Sequence, residues 1–239
     1  MMTRILLAAL ALAIGGGAQQ AALTPVVSAE LPALLTTYKH LHETPELSHH
    51  EAQPSALVAA PLRALGYSVT DHIGKYENPA WTGYGVVGLL RNGAGPTLML
   101  RSELDALPVT EQTGLPYASP VIAKDDAGQT VGVAHACGHD THMSALLGAA
   151  EAMVKLRRER HGRPSQDALP MVGLRPEFAW RQRAPALLRA RPSCLVWHGT
   201  LMLVFQPAEE TINGARAMFN DGLYTRFPRP DLIIAEHDT

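Results

Sequence analysis

Short apolar runs alternate along this chain with stripes of apolar residues at helical spacing. The runs are bounded by turn-forming residues, a pattern typical of buried strands. They predict strands over 67–73, 84–90, 96–100, 199–205 and 231–235. Asn92-Gly93, between the second and third of these strands, is a hairpin turn signal. Strands separated by helices predict an α/β fold with an open, mostly parallel sheet flanked by helices.

The helical stripes predict helices over 31–41, 48–65, 141–154 and 213–219. Ser48 and Glu51 have the spacing of a capping box that would open the second helix. Asp140 stands in the N-cap position of the third helix. Four histidines near the first two helices do not converge on one point at their spacing. We therefore expect surface or capping groups, and not metal ligands, at His40, His42, His49 and His50.

The stretch 135–142 reads His-Ala-Cys-Gly-His-Asp-Thr-His and carries the densest chemistry of the chain. Thiol and imidazole groups are the usual protein ligands of zinc, and carboxylate completes the ordinary set. Cys137 and His139 can reach one metal only from an irregular or extended backbone, because residues two apart on a helix do not face each other. The alternative is a polar loop with satisfied histidines, but burying so many potential ligands without a role is costly.

Acidic residues follow the predicted strands, and open α/β sheets place their sites at the carboxyl ends of strands. Glu103 and Asp105 follow one strand, although surface acids in a loop would look the same. Glu209 and Glu210 follow the strand at 199–205, and the strand at 231–235 leads to His237. One carboxylate of the Glu209–Glu210 pair could ligate a metal while its neighbour exchanges protons with water.

The charge and composition of the chain argue against a nucleic-acid-binding protein. The formal net charge is -2, and neither a basic excess nor interleaved aromatic and basic residues indicates a nucleic-acid partner.

The start of the sequence combines a basic residue, Arg4, with ten apolar residues over 5–14 and small residues up to Ala18. This pattern predicts a cleaved signal peptide over 1–18, too short to span a bilayer. We expect a secreted or periplasmic protein without membrane contact after cleavage; an uncleaved anchor or a misassigned start are the alternatives.

The stretch 157–196 differs in character from the rest of the chain. Nine of the 20 Lys and Arg residues lie between 157 and 191, together with several prolines, and no regular period survives there. We interpret it as a poorly ordered insertion, with a basic nucleic-acid patch as the alternative. The insertion would divide one catalytic domain into a first part, 24–156, and a second part, 197–239.

The motif at 135–142, together with Phe-Gln-Pro-Ala-Glu-Glu at 205–210, resembles those of the M20 metallopeptidases. The similarity is to their amidohydrolase branch, which includes hippurate-hydrolase-like and auxin-conjugate-hydrolase-like enzymes. It extends to 42–51, 101–108 and His237, and runs from about residue 30 to the end outside the insertion. The resemblance implies a zinc-exopeptidase-like catalytic domain with two divalent metal ions (zinc, or manganese, cobalt or nickel). A smaller domain that mediates dimerisation interrupts that domain in the family.

The resemblance also implies roles for individual residues. The metal ligands would be Cys137, His139, Glu210 and His237. The general acid/base would be Glu209. The groups that orient the ligands would be Asp140, His142 and Glu103, the last of which stands where the family usually has Asp.

The implied activity is metal-dependent hydrolysis of the amide bond of N-acyl amino acids or small peptides. The family's smaller domain and its last histidine ligand would lie beyond Thr239. The sequence is therefore expected to be the N-terminal part of such an enzyme, with impaired activity, and the full-length form would be a homodimer. Two alternatives remain, namely a dipeptidase or exopeptidase of the same family and a non-catalytic metal-binding fragment.

Overall fold

The computed structural model describes residues 24–157 and 197–235. The chain divides into two units, and one of them consists of Pro25–Lys155 and His198–Thr239. The other consists of Met1–Thr24 and Leu156–Trp197, nearly all of it outside the described residues. The predicted signal peptide, nearly all of the predicted insertion and His237 likewise lie outside the described residues.

A five-stranded sheet forms the centre of the described fold. Its strands, in spatial order, are β1 (Ser68–Ile73), β2 (Gly85–Asn92), β6 (Gly199–Gln206), β3 (Thr97–Glu103) and β7 (Leu232–Ala235). β3 pairs in parallel with β6 and with β7, whereas β2 is antiparallel to both of its neighbours. Four of these five strands therefore run in one direction, which confirms the predicted open, mostly parallel α/β sheet.

The predicted hairpin between β2 and β3 is wrong. β6 lies between the two strands, so that Met202 pairs with Leu89 on one side and with Met99 on the other. Gly93 still turns the chain with φ +82, but the connection runs past the start of β6. A Cβ at Gly199 would lie 2.1 Å from the carbonyl oxygen of Pro96. A local turn signal cannot show that a distant strand will insert between its two neighbours.

The described residues form five helices: α1 (24–43), α2 (Ala52–Ala64), α3 (His139–Lys155), α4 (Gly214–Asn220) and α5 (Leu223–Arg226). Because side chains alternate between the two faces of the sheet along β2, two of these helices can be assigned to opposite faces. A side chain at Gly88 would meet Leu62 of α2, and one at Gly85 would meet Met218 of α4. α3 packs against β3, so its first turn lies near the end of that strand.

The predicted capping box at Ser48 and Glu51 is wrong. α2 begins at Ala52, and the N-cap residue Glu51 makes no side-chain cap hydrogen bond. Ser48 Oγ instead donates to Asp105 Oδ2 at 2.6 Å. Glu51 Oε1 accepts the backbone N–H of Ala208 at 2.6 Å. Ser48 and Glu51 have the spacing of a capping box, but they connect the start of α2 to remote segments of the chain instead of capping the helix.

A hydrophobic cluster fills the face of the sheet under α4 and α5. Its buried members are Ile73, Val87, Leu89, Met99, Met202, Val204, Met218 and Leu223. A small hairpin of β4 (Ile122–Lys124) and β5 (Thr130–Gly132) stands outside the main sheet, and the apolar pattern did not predict it. Within the described ranges, every helix is too short or too polar to cross a membrane.

Candidate metal centre

The carboxyl ends of β3 and β6 lie side by side at the candidate site. Glu103, the last residue of β3, is in register with Gln206, the last residue of β6. The parallel pairing continues one residue further, where the N–H of Leu104 donates to the carbonyl of Gln206 at 2.9 Å. Because both strands end at the same level, the acids that follow them emerge at one edge of the sheet.

The third segment of the site is the turn at Gly138 and the first turn of α3. Gly138 has φ +72, a left-handed conformation that favours glycine. Its carbonyl accepts the N–H groups of Thr141 and His142, at 3.0 and 3.1 Å. The helix therefore begins at His139, and the prediction of Asp140 as its N-cap is wrong. The earlier start places His139 and His142 one turn apart on the helix, with their rings 5.9 Å apart.

The His139 ring is held in one orientation by the backbone. Its Nδ1 lies 2.7 Å from the carbonyl oxygen of Asp105. A carbonyl can only accept, so Nδ1 carries the hydrogen and Nε2 of the neutral ring presents a lone pair. Nε2 lies 3.7 Å from Glu209 Oε2 and 3.8 Å from Glu210 Oε1. A lone pair that faces two carboxylates at these distances is the arrangement expected around a cation.

Cys137 completes a group of three potential ligands with His139 and Glu210. One ligand atom from each lies within 4.8 Å of the others. Burial and the neighbouring Glu210 carboxylate raise the pKa of the Cys137 thiol to about 11. Burial likewise raises the pKa of Glu210. A bound divalent cation would reverse both shifts by stabilising the thiolate and the carboxylate, so this donor set fits a zinc-type ion.

A second group of three shares His139 and is completed by Glu103 and His142. All three are buried, and their ligand atoms also lie within 4.8 Å of one another. Glu103 Oε2 lies 3.1 Å from His142 Nδ1, and Arg101 forms an ion pair with Glu103 Oε1. The extra methylene of Glu103 is thus accommodated within the buried site. Two overlapping sets of ligand-type groups meet at one imidazole.

Asp105 connects the three segments, a role that the sequence did not identify. Its Oδ2 accepts the Ser48 hydroxyl at 2.6 Å and the N–H of Glu210 at 2.9 Å, and its own carbonyl accepts His139. The side chain is fully buried. Two signals pointed to Asp105, namely its place after a strand end, where a surface acid would look the same, and its position in the stretch 101–108 of the family resemblance.

His42 was predicted to be a surface or capping group, and that prediction is wrong. Its buried ring lies between two carboxylates, 2.6 Å from Asp140 Oδ2 and 3.1 Å from Glu111 Oε1. Burial lowers the pKa of His42, but hydrogen bonds to Asp140 and Glu111 outweigh it and raise the pKa overall. Asp140 also accepts the N–H of Thr141 at 2.8 Å. This network ties the end of α1 to the first turn of α3.

The structure thus brings together three of the four predicted ligands, the predicted acid/base Glu209 and the predicted orienting groups Glu103 and His142. Asp140 lies beside them but contacts His42. The fourth predicted ligand, His237, lies outside the described residues.

Comparison with known sequences identifies relatives over most of the chain. Residues 99–166 match the family "Peptidase family M20/M25/M40". A hippurate hydrolase of Campylobacter jejuni is 35% identical over 83% of this chain and 37% of its own length. The N-acetyl-L-cysteine deacetylase of Bacillus subtilis is 32% identical over 86% of this chain and 36% of its own length. The chain therefore spans somewhat more than a third of the length of each of these two relatives.

Comparison with solved structures agrees with these sequence matches. A Bacillus subtilis protein described as a dinuclear metal-binding peptidase from the M20 family superposes with a TM-score of 0.60. The two chains are 26% identical, and the match covers 89% of this chain and 44% of that one.

Proposed function

We propose that this chain, as a member of peptidase family M20/M25/M40, hydrolyses the amide bond of N-acyl amino acids or small peptides at a metal-dependent site. The observation that carries the proposal is the convergence of Cys137, His139 and Glu210. Cys137 and His139 come from the stretch 135–142 and Glu210 from the segment after β6, and all three are ligand types for a borderline divalent ion.

The proposed ligands are Cys137, His139 and Glu210, with His237 as the fourth. Two divalent ions are proposed because a second ligand-type group, formed with Glu103 and His142, adjoins the first. A relative of known structure is itself described as dinuclear. When bound, such ions polarise a substrate carbonyl and lower the pKa of water.

Glu209 is the proposed general acid/base. Its side chain is 27% exposed, compared with 16% for that of Glu210. The more exposed carboxylate can reach an attacking water, and the less exposed one is better placed to hold a cation. Glu209 would accept a proton from the water and then donate it to the nitrogen of the departing amine.

The test compares bound metal and hippurate hydrolysis in the wild-type chain, Glu209→Gln and Glu210→Gln. Glu209→Gln should keep its metal and lose at least about a hundredfold in turnover, the ordinary contribution of general acid/base catalysis. Glu210→Gln should lose metal. Turnover that Glu209→Gln leaves unchanged would contradict the assignment of the acid/base.

An exopeptidase activity is a second candidate because the relative of known structure is described as a peptidase. Dipeptides assayed beside hippurate under the same conditions would separate the two. A third candidate is a metal-binding fragment without catalysis. Tight metal binding with no hydrolysis of any of these substrates would favour it.

Secretion or a periplasmic location is proposed from the basic and apolar start of the sequence. Expression of the whole chain, followed by sequencing of the N-terminus of the exported product, tests it. A new N-terminus at Gln19 is expected, and an uncleaved chain retained in the cytoplasm would contradict the proposed export.

A homodimer of the full-length form is proposed from the family resemblance alone. Analytical ultracentrifugation measures the oligomeric state directly.

A further inference from the structure

The loop that carries Glu209 and Glu210, here called the acid loop (residues 207–213), has a strained backbone. Ala208 has φ +47 and Ile212 has φ +58, both in the left-handed region that side chains other than glycine rarely adopt. Such conformations persist only where the surrounding structure fixes them. Ala208 directly precedes Glu209, so whatever holds Ala208 also determines where the two carboxylates point.

Glu51 holds that residue. Its carboxylate is fully buried, and Oε1 accepts the N–H of Ala208 at 2.6 Å. Burial, with a smaller contribution from the nearby Asp105 carboxylate, raises the pKa of Glu51 to about 8. Burying an acid is costly unless its bonds repay the loss of hydration. The contact joins positions 157 residues apart, which a local capping role would not require.

A second contact from the same segment reaches the other end of the acid loop. His49 Nε2 lies 3.2 Å from Asn213 Oδ1. The ring stacks on Trp81 with centroids 3.7 Å apart and planes at 5°, and its Nδ1 lies 2.6 Å from Asp126 Oδ2. His49 is therefore buried and immobilised, contrary to its prediction as a surface or capping group. Residues 49 and 51 together hold the acid loop at both ends.

We propose that Glu51 is a positioning residue for the acid pair: by binding the N–H of Ala208 it directs Glu209 and Glu210 toward His139. The inference rests on the proposed roles of Glu209 and Glu210. It extends them by naming the group that maintains their geometry. Glu51 acts through the backbone, so its effect depends on a hydrogen-bond acceptor at that position and not on its charge.

Three variants test this dependence. Glu51→Gln keeps an oxygen that can accept the Ala208 N–H, whereas Glu51→Met has similar length and no comparable acceptor. Tyr67→Phe is the matched control, since it removes a buried hydroxyl that donates to the carbonyl of Ala150, in α3 and outside the acid loop. It reports the effect of lost stability alone.

Hydrogen exchange of metal-free protein gives the first readout. In Glu51→Met, exchange across the acid loop should accelerate about tenfold, the effect of one lost hydrogen bond. Glu51→Gln and Tyr67→Phe should exchange there like the wild type. Unchanged exchange in Glu51→Met would overturn the proposal. If Glu51→Met does not fold, Glu51→Asp replaces it, since a carboxylate one methylene shorter cannot keep the 2.6 Å contact.

Cobalt titration gives the second readout, through the thiolate-to-cobalt absorption that Cys137 would contribute. Glu51→Met should bind Co²⁺ about tenfold more weakly than the wild type, and Glu51→Gln should restore the affinity. Equal losses in Glu51→Gln or Tyr67→Phe would refute a positioning role. A wild type that binds no Co²⁺ would refute the proposed function instead, and hydrogen exchange would still decide the role of Glu51.

Discussion

At the scale of single residues, the site depends on polar groups that contact the potential metal ligands but are not ligands themselves. The carboxylate of Asp105 accepts hydrogen bonds from Ser48 and from the N–H of Glu210, and its backbone carbonyl accepts one from His139. A buried carboxylate that accepts several hydrogen bonds fixes more geometry than its size suggests, because each lost bond leaves a buried donor unsatisfied. The ligand atoms therefore have defined directions before any ion binds.

Replacing Asp105 by Ala tests this organisation. We expect the free energy of unfolding to fall by about 1–3 kcal/mol for each donor left buried without a partner. Urea unfolding measures it. Asp125→Ala is the control, because Asp125 Oδ1 also accepts two backbone N–H groups, of Ala127 and Gln129, but at an exposed turn. A loss in Asp105→Ala no larger than that of the control would contradict the role of Asp105.

The His42 network predicts a pH dependence of stability. The folded pKa of His42 lies above its usual 6.5, so the folded state binds the proton more tightly than the unfolded state does. The stabilisation is fully present below pH 6.5 and is lost as the pH rises through the folded pKa. Thermal unfolding between pH 6 and pH 8 should show this loss in the wild type and much less of it in His42→Gln. Parallel profiles for the two proteins would exclude His42 as the source.

At the scale of elements, the site is formed where two parallel strands end and one helix begins. β3 and β6 end in register, and the turn at Gly138 starts α3 beside them. α4 begins at Gly214, directly after the acid loop. No side chain fits at this position, because a Cβ there would lie 1.6 Å from the carbonyl oxygen of Pro207. The position of a short helix thus limits the position of the acids that precede it.

Gly214→Ala tests the coupling between α4 and the acid loop. The added methyl group must displace backbone, so we expect a loss of about 1–3 kcal/mol in stability and faster hydrogen exchange in the acid loop. Gly66→Ala is the matched control, since Gly66 has φ +87 but open space around it. Its cost of about 1–2 kcal/mol should leave exchange in the acid loop unchanged. Similar exchange in both variants would contradict the coupling.

At the scale of the whole molecule, the described sheet has an exposed apolar margin. β7 pairs with β3 on one side, and no other described strand pairs with its second edge. Leu232, Ile233 and Ile234 are 65%, 53% and 58% exposed. An exposed edge strand of this composition is a template for pairing with another chain.

We therefore expect the protein to self-associate as its concentration rises, through β7. Ile233→Lys should reduce the association, because a charge on an edge strand opposes pairing. Sedimentation velocity over a range of concentrations measures the effect. Ile122→Lys is the control, since Ile122 is 71% exposed but lies in the separate β4–β5 hairpin. Equal effects of the two substitutions would show that general solubility, and not the β7 edge, governs association.

Local patterns were sufficient for the five strands of the main sheet, for most of the helices and for the residue types of the site, but not for the β4–β5 hairpin. Apolar runs marked the strands of the main sheet, but the run at 231–235 forms an exposed strand and not the buried one that its pattern predicts. Cys137, His139, Glu209 and Glu210 stand out because such groups are rarely buried without a function. The end of a parallel strand also predicts a site from sequence, since all such ends lie at one edge.

Only the tertiary structure decided which elements became neighbours. The insertion of β6 between β2 and β3 replaced the predicted hairpin, and contacts with Asp105 and Ala208 took Ser48 and Glu51 away from the predicted cap. Hydrogen-bonding side chains bind whichever partners the fold brings near, and those partners lie 57 positions away for Ser48 and 157 for Glu51. The sequence alone therefore determined which groups could form the site, whereas the packing of strands and helices determined how those groups are oriented.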